Sequence, residues 1–221
     1  MKAIAVVSGG LDSVTLAYLL DSEGYDLHLL SFDYGQRHRK ELNHAALCAQ
    51  RLGAMHTVID LSSLRSLLHG SALTDDIPVP DGHYAAKSMA VTVVPNRNAI
   101  MLSIAYAAAV SDGARLVAVG VHAGDHFIYP DCRPAFVSAF AEMERLATEG
   151  YAQDGLSLYA PFLHMSKSDI VTTAVRLGIP LCDTWSCYKG GALHCGKCGT
   201  CVERHEAFQL AGLDDPTQYE E

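Results

Sequence analysis

The sequence predicts an α/β protein whose mostly parallel sheet is doubly wound by helices, with a small cysteine-rich element at its end. Three observations carry this. Short apolar, β-rich runs alternate with stretches of helical periodicity. The first run passes through a glycine pair straight into a helix, the arrangement of a phosphate-binding strand–loop–helix unit. A chain of 221 residues, 49% hydrophobic, supports one well-buried domain with an appendage rather than two full domains. The expected division is a nucleotide-binding α/β domain over residues 1–180 and a metal-binding element over 181–221.

Ala3 to Val7 reads as the first strand, and Val14, Leu16, Ala17, Leu19 and Leu20 mark the first helix. Between them lies Ser8-Gly9-Gly10-Leu11-Asp12-Ser13. Gly9 and Gly10 let the backbone turn tightly and approach a ligand, and free N–H groups at the helix start point at an anion. Ser8 and Ser13 add hydroxyl donors, and Asp12 can hold a metal ion that bridges phosphates. No lysine follows the second glycine, so this is not the GxxxxGK[ST] loop. The plainer alternative is an N-cap turn made by Asp12 or Ser13.

Leu27 to Phe32 is the second strand and ends in Asp33-Tyr34-Gly35-Gln36-Arg37-His38. In a doubly wound sheet ligands sit beyond the carboxyl ends of the strands, so Asp33 and Gln36 are placed to meet a nucleotide, and Arg37 and His38 to meet negative charge. A solvated loop feeding the helix Glu41–Leu52 is the plainer reading of each. Gly53 ends that helix, and Met55 to Asp60 makes a third strand. Residues 71–96 form a long connection with three prolines and Gly82, which is either a lid over the nucleotide or a segment without structure. Asn98 reads as the N-cap of a buried helix from Ala99 to Val110. Arg97, at that buried start, calls for a phosphate or carboxylate partner.

Leu116 to Gly120 is the fourth strand, followed by a dense polar loop from His122 to Arg133. This loop is the candidate pocket for a second substrate. Asp125 and Asp131 can accept from the paired N–H donors of a heterocycle, Tyr129 can stack on its face, and Arg133 can clamp an acidic substituent. His122 and His126 lie in a glycine-containing loop rather than on a helix, so they do not read as a metal pair. Ser157 to Ala160 is a fifth strand broken by Pro161. Ser166 caps a helix from Lys167 to Leu177, with Asp169 completing a near capping box. Lys167 opposes the helix dipole there unless an anion is close, which marks it as a phosphate contact.

Cys195, Cys198 and Cys201 form a CxxCxxC run, and Cys187 can reach back across the intervening loop. Four thiolates around one ion make a closed tetrahedral structural zinc site, with iron–sulfur ligation the rival. Cys182, His194 and His205 are alternative ligands, while Cys48 and Cys132 read as small buried hydrophobes. The net charge of −9 argues against a partner held through its phosphate backbone. With no charged n-region before an apolar run, and no 18-residue apolar run, the expectation is a cytoplasmic protein bound to neither membrane nor nucleic acid.

The stretches SGGLDS, SFDYGQRHRKEL, VPNRN, GVHAGDHFIYPDCRPAF, MSKSDI and SCYKGGALHCGKCGTC together resemble the 7-cyano-7-deazaguanine synthase family of PP-loop ATP pyrophosphatases, in family order over almost the whole chain. Asn96 stands where many members carry glycine, and asparagine tolerates the left-handed conformation. The resemblance implies the Rossmann-like adenine nucleotide α-hydrolase fold. It implies ATP contacts along Val7, Ser8, Gly9, Gly10, Leu11, Asp12, Ser13, Val14, Thr15, Leu16 and Ala17, with Asp33 and Gln36. It implies catalytic roles for Asp12, Ser13, Arg97 and Lys167, and substrate contacts from Asp125, Tyr129, Asp131 and Arg133. A structural Zn²⁺ on Cys187, Cys195, Cys198 and Cys201, Mg²⁺ with ATP, and a homodimer complete the expectation.

The reaction so implied is ATP-dependent conversion of 7-carboxy-7-deazaguanine and ammonia to the 7-cyano base, through an acyl-adenylate and an amide. Joining the activated acid to a different amine is one rival. A nucleotide-binding sensor without turnover is another, although it leaves the loop containing YPDCR unnecessary. A tRNA-thiolating relative would need a catalytic cysteine pair or a basic extension, and neither is evident.

Overall fold

The computed structural model describes residues 1–220. Five strands, β1 (Lys2–Val6), β2 (Asp26–Asp33), β3 (Met55–Asp60), β4 (Leu116–Ala118) and β5 (Ser157–Tyr159), form one sheet in the order β3-β2-β1-β4-β5. All four pairings are parallel. The helices are α1 (Leu11–Ser22), α2 (Glu41–Leu52), α3 (Arg97–Asp112), α4 (Pro134–Ala147), α5 (Lys167–Arg176) and α6 (Gly199–Ala211). The predicted doubly wound α/β fold is what the chain adopts.

Strand alternation divides the core between the two faces. Ala3, Ala5, Leu27, Leu29, Leu116 and Ala118 pack with residues of α1, α2, α5 and α6. Ile4, Leu30, Phe32 and Val117 pack with α3 and α4 through Leu102, Tyr106, Val137 and Phe140. The chain runs outward from β1 to β3, then returns to place β4 on the other side of β1. This reversal opens a crevice beyond the carboxyl ends of β1 and β4, where doubly wound folds bind ligands.

Several boundaries differ from the sequence expectation for local reasons. β4 ends at Ala118 because the chain leaves the ladder to meet the loop after β1. A Cβ on Gly120 would lie only 3.3 Å from the Asp12 carbonyl and the Ser13 nitrogen, so a glycine permits that approach. α3 begins at Arg97, and Asn98 is not its cap. Asn96 takes that position with φ 57°, the left-handed turn expected of it, and the Asn98 N–H donates to Asp131 Oδ2 at 3.0 Å. Ser166 and Asp169 make the full capping box at the start of α5.

The 71–96 connection has structure of its own. It carries a 3₁₀ turn over Lys87–Thr92 and buries Ala72, Leu73, Val79 and Met89. Asp81 pairs with Cys198 in an isolated antiparallel bridge, and the Gly82 N–H donates to the Lys197 carbonyl at 2.9 Å. The segment after residue 180 is likewise bound into the domain. Ala207 and Phe208 of α6 enter the main core, and fully buried Arg204 donates to Thr184 Oγ1, the Leu181 carbonyl and Asp215. Among the described residues no helix is long and apolar enough to cross a membrane.

Candidate active site

A cavity of about 1400 Å³, including its open mouth, occupies the crevice between β1 and β4. Its floor is the loop after β1. Gly9 holds φ +95°, and a Cβ there would stand 2.1 Å from the Glu41 carbonyl, so only glycine lets this loop seat against the start of α2. Ser13 Oγ accepts from the Ser8 N–H and donates to the Gly10 carbonyl, while Ser8 Oγ accepts from the Gly10 N–H. The N-cap of α1 is Gly10, which has no side chain to cap the helix. Neither Asp12 nor Ser13 makes the cap turn. The first N–H groups of α1 are thus left for an anion.

Val7, Ser8, Gly10, Leu11, Asp12 and Ser13 line this cavity. Val14, Thr15, Leu16 and Ala17 are buried within α1, where they seat the helix on the sheet instead of facing the cavity. Asp33 and Gln36 are also outside the lining. Asp33 is engaged by Arg39 and the Gly35 N–H. Gln36 accepts from the Tyr34 N–H and donates to the Phe32 carbonyl and Glu41, so its amide is spent on holding the turn.

Lys167 opens α5 and reaches into the cavity, where Nζ donates to Asp12 Oδ2 at 2.5 Å and stands 3.5 Å from Glu203 Oε2. Burial alone would lower the Lys167 pKa, but Asp12, Glu203 and Asp125 outweigh it and hold the ammonium charged, above its usual range. Burial raises the Asp12 carboxyl, and the opposing pull of Lys167 and His122 leaves it below its usual value. Asp12 Oδ1 is buried without a hydrogen-bond partner. Glu203 sits above its ordinary value because burial exceeds the attraction of Lys167 and His122.

His122 stands at the centre of this group. Its Nδ1 accepts from the Gly124 N–H at 3.1 Å, which puts the proton of the neutral ring on Nε2. Nε2 lies 3.5 Å from Asp125, 3.9 Å from Asp12, 3.9 Å from Glu203 and 3.5 Å from Lys167 Nζ. The sequence weighed His122 only as a metal ligand and gave Glu203 no role. Glu203 had one readable signal: it lies four residues from both Gly199 and Ala207, on the buried face of α6.

At the other side of the cavity Arg97 forms no ion pair among the described residues. Its Nη1 donates to Tyr34 Oη at 3.2 Å, and its guanidinium lies 5.9 Å from that ring's centre. Tyr129 and Tyr188 line the same end, with His38 and Glu41 behind them. Tyr129 is hydrogen-bonded to Thr92 Oγ1 at 2.7 Å, which ties it to the 71–96 segment, and Tyr84 and Met89 of that segment also line the cavity. Asp125 faces the cavity with Tyr129. Asp131 does not, because it holds the start of α3. Arg133 is exposed and donates to the His126 carbonyl, outside the lining.

Cys187, Cys195, Cys198 and Cys201 are buried, and their sulfurs all lie within 4.8 Å of one another, a group able to hold a metal ion. His194 is not among them: its Nε2 accepts from the Ser186 N–H. Cys48 and Cys132 are buried elsewhere, as expected.

The family model described as "Queuosine biosynthesis protein QueC" matches residues 2–212. The chain is 61% identical over 221 residues to the 7-cyano-7-deazaguanine synthase of Rhizobium rhizogenes, covering 100% of this chain and 93% of that one. It is 60% identical to the protein of the same name from Paracoccus denitrificans, covering 94% of it. Among solved structures, the NMN synthetase of Francisella tularensis superposes with a TM-score of 0.53 over 96% of this chain and 77% of that chain, at 16% identity, a likeness of fold alone. The matches confirm the resemblance carried by the motifs, and the chain belongs to the QueC family of queuosine biosynthesis proteins.

Proposed function

We propose that the protein is an ATP-dependent ligase that converts 7-carboxy-7-deazaguanine and ammonia to 7-cyano-7-deazaguanine, with the activity named for its relatives. The carrying observation is the single cavity at the strand-order reversal. It joins an uncapped helix start, a charged lysine and an arginine without a counter-ion to an aromatic end bearing a carboxylate.

The α-phosphate of ATP lies over the first turn of α1, with Ser8 and Ser13 beside it and Lys167 against its developing charge. The base lies against Tyr129, with Asp125 available to its N–H edge and Arg97 to its anionic group. A carboxylate oxygen of the acid attacks the α-phosphorus and pyrophosphate leaves, giving the acyl-adenylate. Ammonia forms the C–N bond as the C–O bond breaks, and AMP leaves with the electron pair and a proton. The amide oxygen then attacks the α-phosphorus of a second ATP, pyrophosphate leaves, and the O-adenylated amide loses AMP with the C–O electron pair and both N–H protons to give the nitrile. The protein's part is positioning and charge.

Two ions fit the residues present. Asp12, with its unpartnered buried Oδ1, would hold Mg²⁺, which neutralises phosphate charge when bound. For zinc, Zn–S bonds of about 2.3 Å in a tetrahedron set the sulfurs about 3.8 Å apart. The Cys198–Cys201 and Cys195–Cys201 sulfurs stand 3.5 and 4.0 Å apart. An iron–sulfur cluster, with each thiolate on its own iron, spreads them wider. These spacings support a structural zinc.

Mass spectrometry of the purified protein with ATP, Mg²⁺, ammonium and 7-carboxy-7-deazaguanine tests the reading. The nitrile base and AMP are the expected products. An adenylated acid without nitrile would move the reading to a different amine, and absence of adenylation would sink it. Light scattering tests the dimer that the resemblance implies.

A further inference from the structure

Ammonia exists at neutral pH mainly as a cation, so the enzyme proposed above needs a place to gather it beside the acyl-adenylate. Three carboxylates, Asp12, Asp125 and Glu203, crowd around one lysine and one histidine in the cavity. Two of the three are accounted for. Asp12 takes the Lys167 hydrogen bond and faces the phosphate loop, and Asp125 faces the ring end with Tyr129.

Glu203 is the remainder. Its side chain is 9% exposed, and it forms no hydrogen bond among the described residues. Lys167 pairs with Oε2 alone, and a buried carboxylate oxygen left without a donor is costly unless a ligand supplies one. Oε2 is turned toward Lys167 at 3.5 Å, which leaves Oε1 beside Gly124 and 3.9 Å from His122 Nε2. A Cβ on Gly124 would lie 3.0 Å from Oε1 and 2.9 Å from the His122 ring, so only a glycine lets the loop after β4 come this close to that oxygen, and Gly124 and Glu203 both line the cavity.

We propose that Glu203 holds the ammonium ion that provides the amide nitrogen, with Oε1 accepting its N–H; one proton leaves to water before the freed ammonia attacks the acyl-adenylate. The assignment rests on the ligase reading. A small monocation with four donors suits one free carboxylate oxygen in a tight space. Mg²⁺ keeps several waters and binds with phosphates, which would suit the unpartnered Asp12 Oδ1 in the loop after β1 rather than Glu203.

The test uses the full chain with ATP, Mg²⁺ and the acid, and compares capture of the acyl-adenylate by ammonium with capture by hydroxylamine, which is uncharged at neutral pH. In Glu203→Gln the ratio of amide to hydroxamate is expected to fall about 10- to 100-fold, through a higher KM for ammonium. Glu203→Asp, which keeps the charge one methylene short, is expected to recover part of that ratio. An unchanged ratio overturns the proposal, whether both captures persist or both fall together as they would if Glu203 served Lys167 or the metal–nucleotide alone. Pyrophosphate release by the wild-type protein is followed in parallel. Its absence would instead overturn the ligase reading, and this assignment with it.

Discussion

Lys167 Nζ lies 2.5 Å from Asp12 Oδ2, so the first residue of α5 is ion-paired to the first turn of α1 across 155 positions of sequence. The pair orients two groups that would otherwise be free, a carboxylate with one unused oxygen and a lysine standing over a helix start. Asp12→Ala is expected to abolish turnover while the protein stays folded. Lys167→Ala is expected to lower kcat by about 10²-fold or more, since it removes a cation from a water-poor site. Steady-state kinetics with circular dichroism checks both, and normal turnover in either would remove the phosphate-site assignment.

Arg97 should show opposite effects on activity and stability. Its guanidinium is buried beside tyrosines and forms no ion pair. Arg97→Ala is expected to reduce kcat/KM for the acid by about 10²-fold or more, through loss of a charge-assisted contact. It is also expected to raise unfolding stability by on the order of 1 kcal/mol, because a buried unpaired charge is removed. Urea unfolding beside kinetics gives both numbers, and a destabilised, active variant would contradict the reading.

His38 and Glu41 predict opposing pH slopes. Burial raises the Glu41 carboxyl from 4.5 to about 7, so its contribution to stability is complete below pH 4.5 and is lost as pH rises through 7. Burial, followed by Arg97, lowers His38 from 6.5 to about 3, so its contribution is complete above pH 6.5 and is lost as pH falls toward 3. The two oppose each other between about pH 4.5 and 6.5, and the native protein should show a shallow profile there. Glu41→Gln unmasks the histidine: its stability should rise with pH across that window. At pH 8 it should exceed the wild type by on the order of 3 kcal/mol relative to pH 4.5. Denaturant midpoints at several pH values decide it, and parallel profiles for the two proteins would rule it out.

Cys198→Ser is expected to lose bound zinc and stability together, by about 3 kcal/mol or more, a Tm fall of roughly 10 °C. Metal analysis and thermal melts read the two. Full zinc content in the variant would count against the four-cysteine site.

Much of this architecture was legible in the sequence. Strand runs, the helix after Gly10 and the Ser166 capping box follow from periodicity and local hydrogen bonding, which act over a few residues. The CxxCxxC spacing likewise put three sulfurs within seven residues of chain. What could not be read was side-chain direction in loops. Asp131, Asp33 and Gln36 looked like ligand contacts because polar groups at strand ends often are, yet each is consumed by its own backbone surroundings. Glu203 and His122 escaped notice for the converse reason. Their neighbours in sequence give neither a partner, and only the packing of α6 beside β4's outgoing loop brings them within 3.9 Å.

The 71–96 segment is fastened at two points, to the cysteine loop through Asp81 and Gly82 and to the loop after β4 through Thr92 and Tyr129. An ion that orders the cysteine loop and a substrate that orders the Tyr129 end therefore restrain the same stretch of chain. Thermodynamic linkage makes such a coupling reciprocal: whatever factor the metal adds to substrate affinity, the substrate adds to metal affinity. Substrate-saturated protein should therefore hold a metal ion at the four cysteines against a chelator more tightly than the empty protein does.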